Sequence, residues 1–324
     1  MRPCPTPDGK GQELPRRAEI LRAMALLSEH YLQGKLPAIR LAMISLLAGG
    51  HLLLEDIPGL GKTTLALALA RALGLSFGRI QCTSDLLPSD ITGLSIFDQY
   101  ESCFRFVPGP IFNHVVLADE INRAMPKTQS AMLEAMEEGR VTVDGTTYEL
   151  PDPFLVIATQ NPVEQVGTYP LPESQLDRFL VTTGLGYPPA EIEKTIIRGG
   201  SIREKVRQLA PLLGLDDLLA ARQAIRERIY LSDRLVDYIY HLAAATRNHP
   251  LVHSGLSTRG AISLAGAARA AAYLEGREYV APEDVKSVAG AVAAHRLILR
   301  TGSEGVRKQE VLASLLKELP VPLV

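Results

Sequence analysis

Residues Leu52 to Thr64 read Leu-Leu-Leu-Glu-Asp-Ile-Pro-Gly-Leu-Gly-Lys-Thr-Thr. A short apolar run meets a glycine-punctuated turn, then a lysine and two threonines, then an alanine- and leucine-rich stretch of helical character. Strand, loop and helix in that order build a phosphate cradle. Backbone N–H groups of the loop and of the helix N-terminus face an anion, and the helix dipole adds partial positive charge. The candidate nucleotide contacts are Pro58, Gly59, Leu60, Gly61, Lys62, Thr63 and Thr64. Lys62 is expected to reach the β- and γ-phosphates of a nucleoside triphosphate, and the Thr63 hydroxyl to hold Mg2+. Gly59, Gly61, Lys62 and Thr63 fit the pattern G-x-x-x-x-G-K-[ST], but Asp56 stands where its first glycine belongs. A tight left-handed turn would account for the glycines, though not for the Lys62-Thr63 pair behind them.

Composition sets bounds on what surrounds this loop. The 324 residues leave room for two domains at a prior of ~150 residues each. A hydrophobic share of 46% and a charged share of 22% are those of a soluble globular chain. A formal net charge of −2 gives no electrostatic footprint for nucleic acid, and aromatic residues at 5% with no Trp supply few platforms for base stacking. Cys4, Cys82 and Cys103 are scattered and odd in number, as expected of reduced thiols in a cytosol. The histidines show no metal spacing, and Pro250 between His249 and His253 argues against one helical face. Residues 1–12 are proline- and glycine-rich without an apolar core and are expected to be a disordered tail, not a signal peptide. The longest apolar run, Leu41 to Gly50, is too short to span a bilayer, so a cytoplasmic location is expected.

Upstream of the loop, Ile20, Met24, Leu27 and Tyr31 recur at helical spacing, and a second helix is expected from about Pro37 to Leu47, ended by Gly49-Gly50. Downstream, Leu65, Leu69 and Leu73 mark the core face of the helix that follows the loop, and Arg79 to Cys82 reads as a strand. Two extended segments around Leu94–Phe97 and Phe104–Val107 predict an inserted hairpin, being too apolar for a surface loop.

Val115-Val-Leu-Ala-Asp-Glu120 is the second informative stretch. An apolar run of this kind reads as a buried parallel strand, and ligands of open α/β sheets bind at the strands' C-terminal ends. Asp119 is placed to hold Mg2+ and Glu120 to polarise the attacking water, although acids after a strand can also be simple helix caps. A helix is expected over Lys127–Glu138, then a hairpin over Arg140–Leu150 turning at Asp144-Gly145, then a buried strand Phe154–Ala158. Asn161, at the end of that strand, can orient water and sense a γ-phosphate; otherwise it is a turn residue before Pro162. A short helix within 172–180 and a strand Phe179–Thr183 complete a parallel three-layer α/β domain. From Glu191 onward only amphipathic helical stretches occur, near 190–198, 216–228, 232–246, 258–275, 282–299 and 304–318, with Pro188-Pro189 as linker. The helix near Pro282 has Ala281 where a capping hydroxyl would be preferred.

Taken as an ordered set, these motifs resemble an AAA+ ATPase of the MoxR type, from about Gly34 to Leu299. The most specific part is Pro108-Gly-Pro-Ile-Phe-Asn, then Asp119-Glu-Ile-Asn-Arg-Ala, then Lys127-Thr-Gln-Ser-Ala-Met-Leu-Glu-Ala-Met-Glu-Glu138. Ala158-Thr-Gln-Asn-Pro, Gly167-Thr-Tyr-Pro-Leu-Pro-Glu, Leu176-Asp-Arg-Phe, Ala245-Thr-Arg-Asn-His-Pro and Ser257-Thr-Arg-Gly-Ala add to it. The resemblance implies an α/β P-loop core over residues 13–187 and a helical lid over 188–324. It implies a helix-2 insert hairpin at about 93–108 and a pre-sensor-1 hairpin at about 140–150, both of which face the pore or one surface of the ring in related assemblies. It also implies ATP and Mg2+ as cofactors and a homo-oligomeric, hexameric ring.

By the same resemblance Asn161 is sensor 1, Arg178 is the arginine finger that reaches the neighbouring subunit's γ-phosphate, and Arg259 is sensor 2, acting in cis or in trans. Without the family these arginines would read as solvated or ion-paired surface residues. The adenine is expected between Leu32–Lys35, Gly34 included, and Tyr187–Ile192. Departures are Asp56 for the first loop glycine, which the MoxR type often shows, and Gly34-Lys35 where Gly-Gln is usual. Arg123 belongs to the match without an assigned role. The implied function is an ATP-hydrolysing motor that remodels or matures partners carrying von Willebrand factor A domains. Alternatives are a nucleic-acid motor of the helix-2-insert relatives, a magnesium-chelatase-like subunit, or a nucleotide-gated scaffold that does not hydrolyse ATP.

Overall fold

The computed structural model describes residues 14–162, 166–200, 202–301 and 305–322, and the tail expected over residues 1–12 lies outside them. The stripe of Ile20, Met24 and Leu27 is buried in a helix Arg17–Leu26 (α1) that continues as one π-helical turn through Tyr31. Helix α2, Leu36–Ala48, is apolar nearly all round and correspondingly buried, and Gly49 closes it in a left-handed cap. Strand β1 (Leu52–Glu55) comes next, then α3 (Lys62–Ala72), β2 (Phe77–Gln81) and a short helix α4 (Pro88–Thr92). The hairpin strands β3 (Gly93–Asp98) and β4 (Cys103–Pro108) precede β5 (Val115–Asp119), α5 (Pro126–Glu138) and the hairpin β6 (Arg140–Val143) and β7 (Thr146–Glu149). Strand β8 (Leu155–Gln160), α6 (Glu173–Leu176) and β9 (Val181–Thr183) complete this half.

Five of these strands form one parallel sheet in the order β2-β5-β8-β1-β9. Because side chains alternate across a strand, each central strand feeds two cores. Leu52, Leu54, Val115, Leu117, Leu155 and Ile157 join one apolar cluster with α1 to α3, whereas Leu53, Val116, Ala118, Val156 and Ala158 join a second with Met132 and Leu133 of α5. Burial on both faces explains why the strands read as unbroken apolar runs.

Beyond β9 the chain is mostly helical: α7 (Ala190–Gly199), α8 (Arg203–Arg207), α9 (Leu215–Arg228), α10 (Asp233–Asn248), then after a short strand β10 (Val252–Ser254), α11 (Thr258–Leu274) and α12 (Pro282–Ala293), and after β11 (Ile298–Leu299), α13 (Lys308–Glu318). Helix α8 was not expected. The helix predicted over 282–299 stops at Ala293, because Ala294–Arg296 make a 3-10 turn and Ile298–Leu299 pair antiparallel with Val252–Ser254. Ala281 caps α12 without a hydroxyl: the buried Asp284 carboxylate accepts its N–H at 2.8 Å. The change at Tyr187 is one of secondary structure, since the first cluster continues from α2 into Leu218, Leu264, Val288 and Leu312 of the later helices.

His51 is buried just before β1. Its Nδ1 accepts the Val156 N–H and its Nε2 donates to the Met136 carbonyl, each at 3.0 Å. Both nitrogens are thus committed to the neutral ring, and burial pushes its pKa down to about 4. His295, also buried, is pushed down to about 3, chiefly by burial and then by the adjacent Arg296 charge. In the unfolded chain a histidine takes up its proton near ~6.5, so these groups contribute fully above that pH and their contribution is lost as pH falls toward 4. Thermal unfolding followed from pH 7.5 to 5 is expected to show a falling melting temperature, at up to ~1.4 kcal/mol per pH unit for each histidine below ~6.5. His51→Gln is expected to be less stable at pH 7 and to show a shallower pH slope; an unchanged slope would remove His51 from the account.

Candidate nucleotide site

The strand order gathers the polar residues at one end of the sheet. Glu55 is in register with Gln160, Ala118 with Ala158, and Gln81 with Asp119, so the segments following β1, β8 and β5 open side by side. A cavity of about 460 Å³ lies there. The loop lines it with Pro58, Gly59, Gly61, Lys62, Thr63 and Thr64, and the sheet with Asp119, Glu120 and Asn161. Leu60 turns away and packs partly buried against the core.

Gly59 and Gly61 have φ of +88° and +97°, and a Cβ at either would meet no protein atom within 4 Å. The left-handed backbone demands glycine, and its open side lets an anion approach the main chain. Helix α3 starts at Lys62 with no side chain capping its first N–H groups. Lys62 Nζ donates to the Asp56 and Ile57 carbonyls, the latter at 3.1 Å. Burial lowers its pKa, opposed by the charges of Asp56, Asp119 and Glu120.

Thr159, fully buried, links the two acids. Its hydroxyl donates to Asp119 Oδ1 at 2.8 Å and accepts the Glu120 N–H at 2.8 Å. Glu120 has a φ of +57°, a cost that a non-glycine residue bears where the surroundings fix the backbone. Arg123, which had no role from sequence, bonds Glu120 Oε2 at 3.1 Å. Asp119 Oδ2 is held at 2.8 Å by Arg79 of β2, which also bonds Gln81. Arg79 and Arg203 of α8 line the cavity as well, and neither stood out in the sequence.

Asp56 and Lys35 meet at one dipeptide. The Asp56 carboxylate accepts the N–H groups of Leu185 and Gly186, and Lys35 Nζ donates to the carbonyls of the same two residues. Beside them Gly34, at φ +74°, lies so close to Pro189 that a Cβ would sit 2.8 Å from its Cδ. The two segments expected to flank the adenine are therefore in contact.

Arg178 and Arg259 are elsewhere. Both pair with Glu137 at the end of α5, Arg178 Nε at 3.2 Å from Oε2 and Arg259 on Oε1. Hydrogen bonding from Arg259 holds the Glu137 carboxyl below the usual range. These residues line a second cavity of about 320 Å³, together with Asp177 and Arg296.

A model of the "ATPase family associated with various cellular activities (AAA)" matches residues 51–181, and an AAA lid domain model matches residues 244–315. The chain is 46% identical to the "uncharacterized protein YeaC" of Bacillus subtilis, over 90% of this chain and 91% of that one. It is 38% identical to "Chaperone MoxR1" of Mycobacterium tuberculosis, over 98% and 86%, and 34% identical to "Protein MoxR" of Paracoccus denitrificans, over 89% and 92%. A crystal structure from Cytophaga hutchinsonii, provisionally named an ATPase, superposes with a TM-score of 0.87 at 39% identity, covering 95% of this chain and 96% of that chain.

Asp56→Gly would improve the match to the loop pattern, yet it removes the acceptor of two N–H groups. It is expected to lower the melting temperature by about 1.5–4.5 °C, the equivalent of ~1–3 kcal/mol. Lys35→Gln should act in the same direction, and the double variant should fall short of the sum because both side chains serve Leu185-Gly186. Strict additivity in thermal unfolding would show that the two contacts are independent.

Proposed function

The chain belongs to the MoxR-type AAA+ ATPases, and from that premise we propose that it is a Mg2+-dependent, ring-forming ATP-driven chaperone. Its clients on this reading are partner proteins to be remodelled or matured, those with a von Willebrand factor A domain foremost. The observation that carries the proposal is the division of the machinery. The phosphate loop, both acids and Asn161 share one cavity, while Arg178 and Arg259 share another. That division supports a site completed by a second copy of the chain, which supplies its arginine in trans. The shared Glu137 favours a trans role for Arg259 as well as for Arg178.

In this mechanism the amides of the loop and Lys62 bind the β- and γ-phosphates, with Lys62 exchanging its carbonyl partners for phosphate oxygens. The Thr63 hydroxyl and the Asp119 carboxylate are the hard oxygen donors that suit Mg2+; the ion, when bound, neutralises charge on the phosphates. Thr159 and Arg79 hold the Asp119 carboxylate, and Asn161 orients the attacking water. Glu120 takes the proton of that water as its oxygen bonds to the γ-phosphorus and the bond to the ADP oxygen breaks. Arg178 of the adjacent protomer stabilises the charge that develops on the transferring group. No helix among the described residues is long and apolar enough to cross a membrane.

Glu120→Gln is expected to bind ATP and turn none over. Arg178→Ala is expected to lose roughly 10³–10⁵ in rate as a homo-oligomer, and equimolar mixing of the two variants should restore part of it. Chelation should abolish turnover and added Mg2+ restore it. Full turnover in Glu120→Gln would sink the assignment of the base, and a mixture with no recovery would sink the trans role. Affinity capture on Glu120→Gln with ATP, scored for von Willebrand factor A domains against an ADP control, tests the client class.

A further inference from the structure

The segment that carries Arg178 is fixed from within by one lid side chain. Arg296, in the 3-10 turn after α12, has a side chain only 3% exposed. Its Nε donates to Asp177 Oδ1 at 2.6 Å. One terminal nitrogen donates to the carbonyls of Asp177 at 3.1 Å and Phe179 at 2.7 Å, and the other to those of Leu180 at 3.2 Å and Val292. His295 Nε2 lies 3.0 Å from the same Phe179 carbonyl. Four acceptors of the Asp177–Leu180 segment are thereby bound to a single guanidinium, on both sides of Arg178. The stem of Arg296 also lies against the start of α11, because a Cβ on Gly260 would come 3.0 Å from its Cδ. Gly260 comes directly after Arg259.

We propose that Arg296 is a positioning residue for the trans arginines: it sets where Arg178, and with it Arg259, stands for hydrolysis in the adjacent subunit. The proposal rests on the trans role of Arg178 in the proposed function. A buried charge is a costly way to fill a core, and a well-packed apolar side chain there would often be as stable. What an apolar residue cannot do is saturate several carbonyls of one bent segment, and a lysine offers a point charge in place of a planar five-donor fork. The return on this buried guanidinium is therefore geometry. Glu137 complements it at the surface, joining the two guanidinium heads while Arg296 joins the two backbones beneath them. Because Arg296 lies in the lid, the placement of Arg178 is coupled to the lid. A misplacement of about 1 Å at such a group can cost ~10²-fold in rate.

Arg296→Lys tests this in the full chain. Its steady-state ATP hydrolysis is expected to show kcat lowered by about 10- to 100-fold with KM for ATP and the affinity for a fluorescent ADP analogue unchanged, since its own phosphate loop is untouched. The deciding readout is subunit mixing. Mixed with Glu120→Gln, whose Arg178 is intact, Arg296→Lys should regain activity at roughly a quarter of the interfaces of a randomly mixed ring. Mixed with Arg178→Ala, which also lacks a working finger, it should regain none. Arg178→Ala mixed with Glu120→Gln is the control. If that control recovers and Arg296→Lys with Glu120→Gln does not, the loss lies in the variant's own site and the positioning role is wrong. A wild-type kcat for Arg296→Lys overturns it too. If the control itself fails, the trans reading falls and takes this proposal with it. Should Arg296→Lys fail to assemble, Asp177→Asn, which weakens the Nε contact and leaves Arg296 in place, goes through the same mixtures with the same expectations.

Discussion

Strand β1 is buried on both faces, Leu52 and Leu54 against one apolar cluster and Leu53 against the other. It is paired on both edges as well, with β8 and β9. A strand enclosed on all four sides can present polar chemistry only at its end, and the parallel order makes the ends of β5 and β8 emerge beside it. The phosphate loop, Asp119, Glu120 and Asn161 are neighbours for this reason, although they are far apart in sequence. The same enclosure makes the acids controllable. Thr159, buried one residue before the end of β8, can hold one acid by its carboxylate and the other by its backbone.

The loop also has to be anchored to the chain beyond β9. Here Asp56 binds the N–H groups of Leu185 and Gly186, and Lys35 binds their carbonyls. Each residue looks like a defect when measured against the motif on its own. Together they are a matched pair of opposite charges on one dipeptide at the exit of the sheet, and burial of the lysine is offset mainly by the aspartate. A glycine at 56 would serve a freer loop, whereas an aspartate ties the loop to the junction with the lid.

The legible parts of the sequence were those written in local patterns. Unbroken apolar runs gave the central strands, the Asp144-Gly145 turn gave its hairpin with both residues at positive φ, and Gly61-Lys62-Thr63 gave the start of α3. Residues that act through long-range contacts left no such trace. Arg79 reads as an ordinary charged position on β2, and its meeting with Asp119 depends on β2 pairing beside β5, which the sequence does not state. Helix α8 is too short for a periodic signal. The stretch ending at Leu299 kept a helical apolar pattern past Ala293, and the chain leaves the helix where Arg296 finds acceptors in a segment more than a hundred residues away. Arg178 and Arg259 were visible only through family resemblance; spacing could not show that they would share Glu137.

The position of the Asp177–Leu180 segment ties these levels together. On one side the Leu180 N–H bonds the carbonyl of His51, just before β1, and β9 continues immediately into the sheet. On the other side its carbonyls bond Arg296 of the lid. The segment is therefore a crosslink between the strand that launches the phosphate loop and the helices that form the lid, and Arg178 projects from its middle. Since α2 packs against α9 and α11 within one continuous apolar cluster, a shift of the lid that keeps this packing is a sliding of packed helices, a shear in place of an open hinge. On the proposed reading, a small displacement of that kind at one protomer's loop or lid is delivered through Arg296 and β9 to the arginine that serves the next protomer's nucleotide.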